Sequence, residues 1–240
     1  MRISCISTGS TGNCYVLTGH NGDKLILDCG VPIMAIKKAC AFDVEGIVGA
    51  VCTHRHTDHS LSVDRIRNIG IPVIAPYEDG KMGTTVLGGY SVKWFDLTTL
   101  DGQWTHTDTD GEPCPCYGFW IHHKEMGTLV YVTDTELCKW KFNNMNHILV
   151  SCNYQKEHVL MDDPKTPHVL RGHMELGTVK DFVKANATPS LVNVMLCHMS
   201  AENAVASECV DEVQKAAQGA HVVTMKPNMV IDLKQTRCPF

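Results

Sequence analysis

Thr53-His54-Arg55-His56-Thr57-Asp58-His59-Ser60 places four metal-type side chains, His54, His56, Asp58 and His59, within six residues. The run before it, Gly46-Ile47-Val48-Gly49-Ala50-Val51-Cys52, is short, apolar and β-branched and reads as a buried strand. The run after it, Ser60 to Asn68, sets Leu61 and Ile66, with Ile69 beyond, among polar residues at roughly helical spacing. The stretch therefore lies on a turn between a strand and a helix. On extended backbone, residues two apart point the same way, so His54 and His56 face one side. Asp58 and His59 fall at the helix start and can reach back to the same point. Two imidazoles with an Asp-His pair suit a borderline divalent ion such as zinc. A lone His-x-His on a surface is commonplace, but here all four residues fit His-x-His-x-Asp-His in strand-turn-helix context.

The chain has 240 residues, enough to bury a large core as one α/β domain spanning 1–240. With 44% hydrophobic and 20% charged residues it is an ordinary globular protein rather than a disordered one. A formal net charge of −5 argues against a surface coated in basic residues for nucleic acid and leaves room for a local basic groove. Met1-Arg2-Ile3-Ser4-Cys5 opens no apolar segment long enough for a signal peptide, and no run approaches the ~20 apolar residues of a membrane span. The 12 cysteines are scattered, several inside apolar strands, with no Cys-x-x-Cys pair. They read as reduced, mostly buried thiols of a cytoplasmic protein. Cys114 and Cys116 form the one close pair and read as loop cysteines.

Strands are expected at 2–6, 14–18 and 24–28, with a hairpin turn at Asn21-Gly22. Pro32 opens a helix from Ile33 to about Ala41, and Ile71 to Ala75 is a short strand. Residues 78–89 read as a loop. Strands follow at Tyr90 to Leu97, Trp104 to Thr107, Tyr117 to Ile121, Thr128 to Thr133 and Ile148 to Val150. Met161 to Gly172 has two prolines and no clear period. A helix is expected from Glu175 to Ala187, a strand from Leu191 to Cys197, and the longest helix from Ala201 to Gln218. His221 to Met225 and Met229 to Leu233 close the chain as strands. Groups of strands with inserted helices fit a four-layer αββα sandwich with two facing sheets.

The His-x-His-x-Asp-His stretch resembles that of the metallo-β-lactamase superfamily, which has this same αββα fold. Within it the chain is most similar to the WalJ/YycJ-type hydrolases, relatives of tRNase Z. The resemblance covers most of the chain. It runs through Gly9-Ser10-Thr11-Gly12-Asn13-Cys14, Leu27-Asp28-Cys29-Gly30 and Val132-Thr133-Asp134-Thr135. It continues through Ser151-Cys152-Asn153, Gly172-His173-Met174 and His198-Met199-Ser200-Ala201-Glu202-Asn203.

The resemblance implies two divalent ions, zinc or manganese, with His54, His56 and His106 on one and Asp58, His59 and His198 on the other. Asp134 would bridge them. It also implies that His173, at the start of the helix expected near Glu175, contacts phosphate or gives a proton to a leaving group. Arg171, Ser10 and Asn13 supply donors suited to anionic oxygens. Water between two such ions loses a proton near neutral pH and attacks phosphorus or a carbonyl, with Asp58 orienting it. The expected activity is hydrolysis of a nucleic-acid or nucleotide phosphodiester, as a nuclease or phosphodiesterase, with no membrane partner. The rivals are thioester or lactam hydrolysis, a diiron reductase of oxygen or nitric oxide, and a metal-stabilised binding module without activity. The branch commonly has Glu-Ser-Asn at 151–153, Asp directly after the third His where Thr107 intervenes here, and Gly-His-Leu-Ser-Asn at 172–176. The ligands are intact and their surroundings are altered.

Overall fold

The computed structural model describes residues 1–108, 110–160 and 170–237. Two mixed sheets face each other. The first has six strands in the order β13-β1-β2-β3-β4-β5: β1 (Arg2–Ser7), β2 (Cys14–Thr18), β3 (Lys24–Leu27), β4 (Ile47–Val51), β5 (Val73–Ile74) and β13 (Val230–Asp232). The second has seven, in the order β12-β11-β10-β9-β8-β7-β6. They are β6 (Gly83–Leu87), β7 (Tyr90–Asp96), β8 (Tyr117–His123), β9 (Gly127–Val132), β10 (His147–Ser151), β11 (Asn193–Cys197) and β12 (His221–Thr224). Strands β9 to β12 pair in parallel, as do β3 to β5, so their C-terminal ends collect at common edges.

Successive side chains on a strand point to opposite faces. Leu25 and Leu27, with Leu129 and Tyr131, enter the core between the sheets, while Ile26 and Val130 point outward to helices. Helices α1 (Ile33–Ala39) and α3 (Val63–Asn68) cover the first sheet. Helices α4 (Leu176–Asn186) and α5 (Ala206–Ala216) cover the second. These are the expected four layers, and they explain why β9, β10 and β11 are buried along their whole length.

Several elements differ from the sequence reading. The helix after the histidines breaks into α2 (Thr57–Ser60) and α3; Ile66 is buried, while Leu61 and Ile69 are exposed. Residues 83–87, read as loop, form edge strand β6 in a hairpin with β7. Trp104 to Thr107 is no strand: Trp104 bridges to Thr98 and Thr107 to Pro113, two different neighbours that build no ladder. The helix read as 201–218 is 11 residues long, no longer than α4. Most of the aperiodic stretch 161–172 lies outside the described residues. No helix among the described residues is long and apolar enough to cross a membrane.

Candidate metal centre

Three strand ends and one turn build the site. Asp28 follows β3, Asp134 lies two residues past β9, and His198 follows β11, all three with positive φ (56°, 48° and 49°). Left-handed backbone costs an L-residue roughly 1–2 kcal/mol, so the surrounding packing must hold each one there. The histidine turn is pinned by its own neighbours: the Cys52 thiol donates to the carbonyls of His54 and His59, and the Ser60 hydroxyl to those of Arg55 and His56. Gly30 lets that turn dock, because a Cβ there would stand 1.6 Å from the Asp58 carbonyl oxygen. Gly172 does the same for His106, where a Cβ would lie 2.3 Å from Nδ1.

Each imidazole is oriented by a partner on one nitrogen, which turns the other inward. His59 Nδ1 donates to Asp28 Oδ2 at 2.7 Å, and its Nε2 lies 2.7 Å from Asp134 Oδ2. His54 Nδ1 meets the Thr53 hydroxyl at 3.1 Å. His106 Nδ1 donates to the Gly172 carbonyl at 3.1 Å and His56 Nε2 to Asp108 Oδ1 at 2.8 Å. The inward nitrogens of His56 and His106 are then 2.9 Å apart with lone pairs facing, an arrangement that calls for a proton or cation between them. Asp58 Oδ2 stands 3.4 Å from Nε2 of both His59 and His198. Ligand atoms lie within 4.8 Å of one another in each of three sets: His54, His56 and His106; His54, His59 and Asp134; Asp58, His59 and His198. All the expected ligands are brought together.

The donor set fits divalent cations. His54 Nε2 and Asp134 Oδ1 are buried in the middle of the cluster with no hydrogen bond among the described residues. Burial pushes His54 well below the usual histidine range and His106 down to about 3, so both keep a free lone pair. Burial acts to raise both carboxyls, yet neighbouring imidazoles, His198 foremost, hold Asp58 and Asp134 ionised below the usual range. His59 differs from His54 and His106. Burial opposes its charge, but Asp134 and Asp28 lift it well above the ordinary value, and a cation beside Asp134 can replace that proton.

The other expected residues fall out unevenly. Asn13 does not face a substrate: it is fully buried, and its amide donates to the Gly9 carbonyl and approaches His59 Nε2 at 3.0 Å, bracing the turn. Ser10 is exposed at the adjoining loop, and Arg171 is exposed. His173 is not at a helix start, since α4 begins at Leu176 with Glu175 capping it; it lies in the preceding turn. Its ring stands 5.3 Å from that of His106 and 6.1 Å from that of His198, and its Nδ1 donates to the Arg171 carbonyl.

Four contributors lacked an assigned role in the sequence reading. Asp28 takes hydrogen bonds from Thr53 N–H, the Thr53 hydroxyl, His59 and the Tyr131 hydroxyl at 2.5 Å. Asn153 holds His198 through its ring nitrogen and carbonyl. Asp108 backs His56. Cys114, read as a loop cysteine, is buried against His56, and a hydrogen bond with Cys116 holds its thiol down to about 6. The signals for Asp28 were an acidic residue ending an apolar strand and its place in the Leu27-Asp28-Cys29-Gly30 motif.

A family model described as the metallo-beta-lactamase superfamily matches residues 7–137, more than half of the chain. The chain belongs to the metallo-beta-lactamase superfamily. The match spans the histidine turn, His106 and Asp134, with His173 and His198 beyond it. The fold is shared with solved structures over nearly the whole of each chain. The metallo-beta-lactamase fold protein YhfI from Bacillus subtilis is 15% identical with a TM-score of 0.66, covering 96% of this chain and 98% of that one. Unliganded yeast PDE1 is 11% identical with a TM-score of 0.65, covering 95% and 98%. Human tRNase Z, short form, is 15% identical with a TM-score of 0.61, covering 97% and 99%. No curated protein matches the chain.

Proposed function

We propose that this superfamily member is a binuclear metal-dependent hydrolase of phosphodiesters, a nuclease or nucleotide phosphodiesterase of the cytoplasm formed by one domain over 1–240. The observation that carries the reading is the converging cluster itself, with His54 Nε2 and Asp134 Oδ1 buried in it and without a hydrogen bond among the described residues. Two divalent ions there, zinc or manganese, would supply Lewis acidity and a water acidic enough to ionise near pH ~7. His54, His56 and His106 would hold one and Asp58, His59 and His198 the other, with Asp134 between them. Asp58 is catalytic in this reading, because its carboxylate accepts from and orients the attacking water. His173 flanks His106 and His198, so its ring is positioned to pass a proton to the leaving oxygen. Arg171 and Ser10, both exposed, can donate to phosphate oxygens. Fold likeness to proteins named PDE1 and tRNase Z supports phosphorus over carbonyl chemistry, and the WalJ/YycJ-type motifs point the same way.

The test is a substrate panel on purified, metal-loaded protein. Bis(p-nitrophenyl) phosphate and at least one of single-stranded DNA, double-stranded DNA, RNA or a cyclic nucleotide should be cleaved. Efficient turnover of thioesters or β-lactams with every phosphodiester intact overturns the reading. Elemental analysis should return two ions per chain; at most one after reconstitution removes the binuclear part.

A further inference from the structure

The cluster His56, Asp108 and Cys114 lies on the outer side of the histidine ring, and of its members only His56, through its other ring nitrogen, enters the chemistry above. Its three ligand atoms, an imidazole nitrogen, a carboxylate oxygen and a thiol sulfur, lie within 4.8 Å of one another. The hairpin that carries His106 assembles it. Cys114 N–H donates to the His106 carbonyl at 2.9 Å, Thr107 bridges to Pro113, and Asp108 N–H donates to the Glu112 carbonyl. Asp108 and Cys114 are thereby brought onto His56, whose Nε2 lies 2.8 Å from Asp108 Oδ1. Arg55 holds the other oxygen, Oδ2, through Nη2 and reaches Oδ1 only at 3.4 Å through Nε, neutralising charge on the carboxylate. Cys114 is buried, whereas His56 and Asp108 are each 25% exposed, so one side of the cluster is open to solvent.

We infer that His56 Nε2, Asp108 and Cys114 form an outer, thiolate-containing site for a borderline divalent cation such as zinc. Sulfur, nitrogen and oxygen donors together match zinc better than magnesium or calcium, which take oxygen alone. Three protein ligands with an open fourth position is a stable zinc arrangement, and bringing the present spacings, from 2.8 Å for His56 to Asp108 up to at most 4.8 Å, to the roughly 3.5 Å edge of a zinc tetrahedron needs only small side-chain shifts. On binding, the cation displaces the proton shared by His56 Nε2 and Asp108 and takes Cys114 as thiolate, any proton still on the sulfur leaving to solvent with the first. His56 would then serve two ions, one through each ring nitrogen. The inference rests on the central-cluster reading in one respect, that His56 turns Nδ1 toward His106 and so leaves Nε2 outward.

Cobalt(II) reports both sites separately. Titrating chelated full-length protein with cobalt should produce visible d–d absorption from nitrogen and oxygen ligands and a near-ultraviolet sulfur-to-cobalt charge-transfer band. In Cys114→Ser the charge-transfer band should be lost while the d–d absorption remains. Asp108→Asn keeps the thiol, and the cobalt concentration needed for half of the band should rise by ~10-fold or more, as for loss of a coordinating or orienting carboxylate. A d–d spectrum without the charge-transfer band, or a band that survives Cys114→Ser, overturns this site and leaves the central cluster standing. Absence of all cobalt absorption overturns both.

Discussion

His56 and His59 are three residues apart, yet their surroundings differ. His59 and its partner Asp28 are fully buried, whereas His56 and its partner Asp108 are each 25% exposed. The wall behind His59 is made of strand ends: Asp28 after β3, Tyr131 from β9 and Asp134 past β9. No water screens those contacts, so each partner removed leaves a buried polar group unsatisfied. The wall behind His56 is one surface hairpin, tied by an ion pair to Arg55 that solvent screens. One turn of chain thus presents a rigid inner face and a yielding outer one. The inner face explains how three strained, left-handed residues are kept in place.

That contrast is most easily broken at Asp28. Asp28→Ala strands His59 Nδ1, Thr53 N–H and the Tyr131 hydroxyl, and stability should fall by about 3–5 kcal/mol, the range for breaking a buried pair. Urea denaturation would measure it; a loss below ~1 kcal/mol would mean that the inner wall is no firmer than an exposed pair.

His173 probes function on the shared rim. His173→Ala should keep both metals and lower turnover by ~100-fold, the range for a general acid or base. Loss of an ion by elemental analysis would make it a ligand, and unchanged turnover would remove it from the chemistry.

The pH response sharpens the contrast further in chelated protein. His106, at about 3, and His54, also lowered, stay neutral when folded, while the unfolded chain takes up protons near 6.5. Their contribution is present above 6.5 and is lost as pH falls toward 3. His56 has the opposite sign. Hydrogen bonds to Cys114 and Asp108 raise it to about 9 against burial, so its contribution is complete below 6.5 and disappears as pH rises through 9. Urea midpoints should therefore trace a dome, and a midpoint that keeps rising as pH falls below 6.5 would contradict it.

The smallest effect is expected at Asp108. Asp108→Ala should change stability by no more than ~1 kcal/mol, since its pairs with Arg55 and His56 are partly exposed. A loss as large as that at Asp28 would erase the distinction between the two walls.

Much of this was legible from local pattern. The strand-turn-helix around His54 to His59 follows from an apolar run, polar spacing and four ligand residues in one template. The parallel strands read as apolar runs because both faces are covered. Gly30 and Gly172 stand in quoted motifs, and the structure supplies their reason: close backbone approach to Asp58 and His106. The misreadings share a cause. Residues 83–87 looked like loop because Gly83 and the glycines after Leu87 read as turn, yet Gly83 packs beneath the Trp94 ring and the segment pairs with β7. Asn13 looked like a surface donor because its neighbours are small and polar.

The sequence by itself determined the elements that repeat at two or 3.6 residues, the layered class of the fold, and the ligands that lie close together in the chain. The tertiary structure alone decided which distant residue backs which imidazole: Asp28 behind His59, Asp108 and Cys114 behind His56, Asn153 behind His198. Periodicity reports which face of its own strand or helix a residue occupies. Contacts between strand ends and hairpins far apart in the chain depend on how separate elements register across two sheets, and no local pattern carries that register.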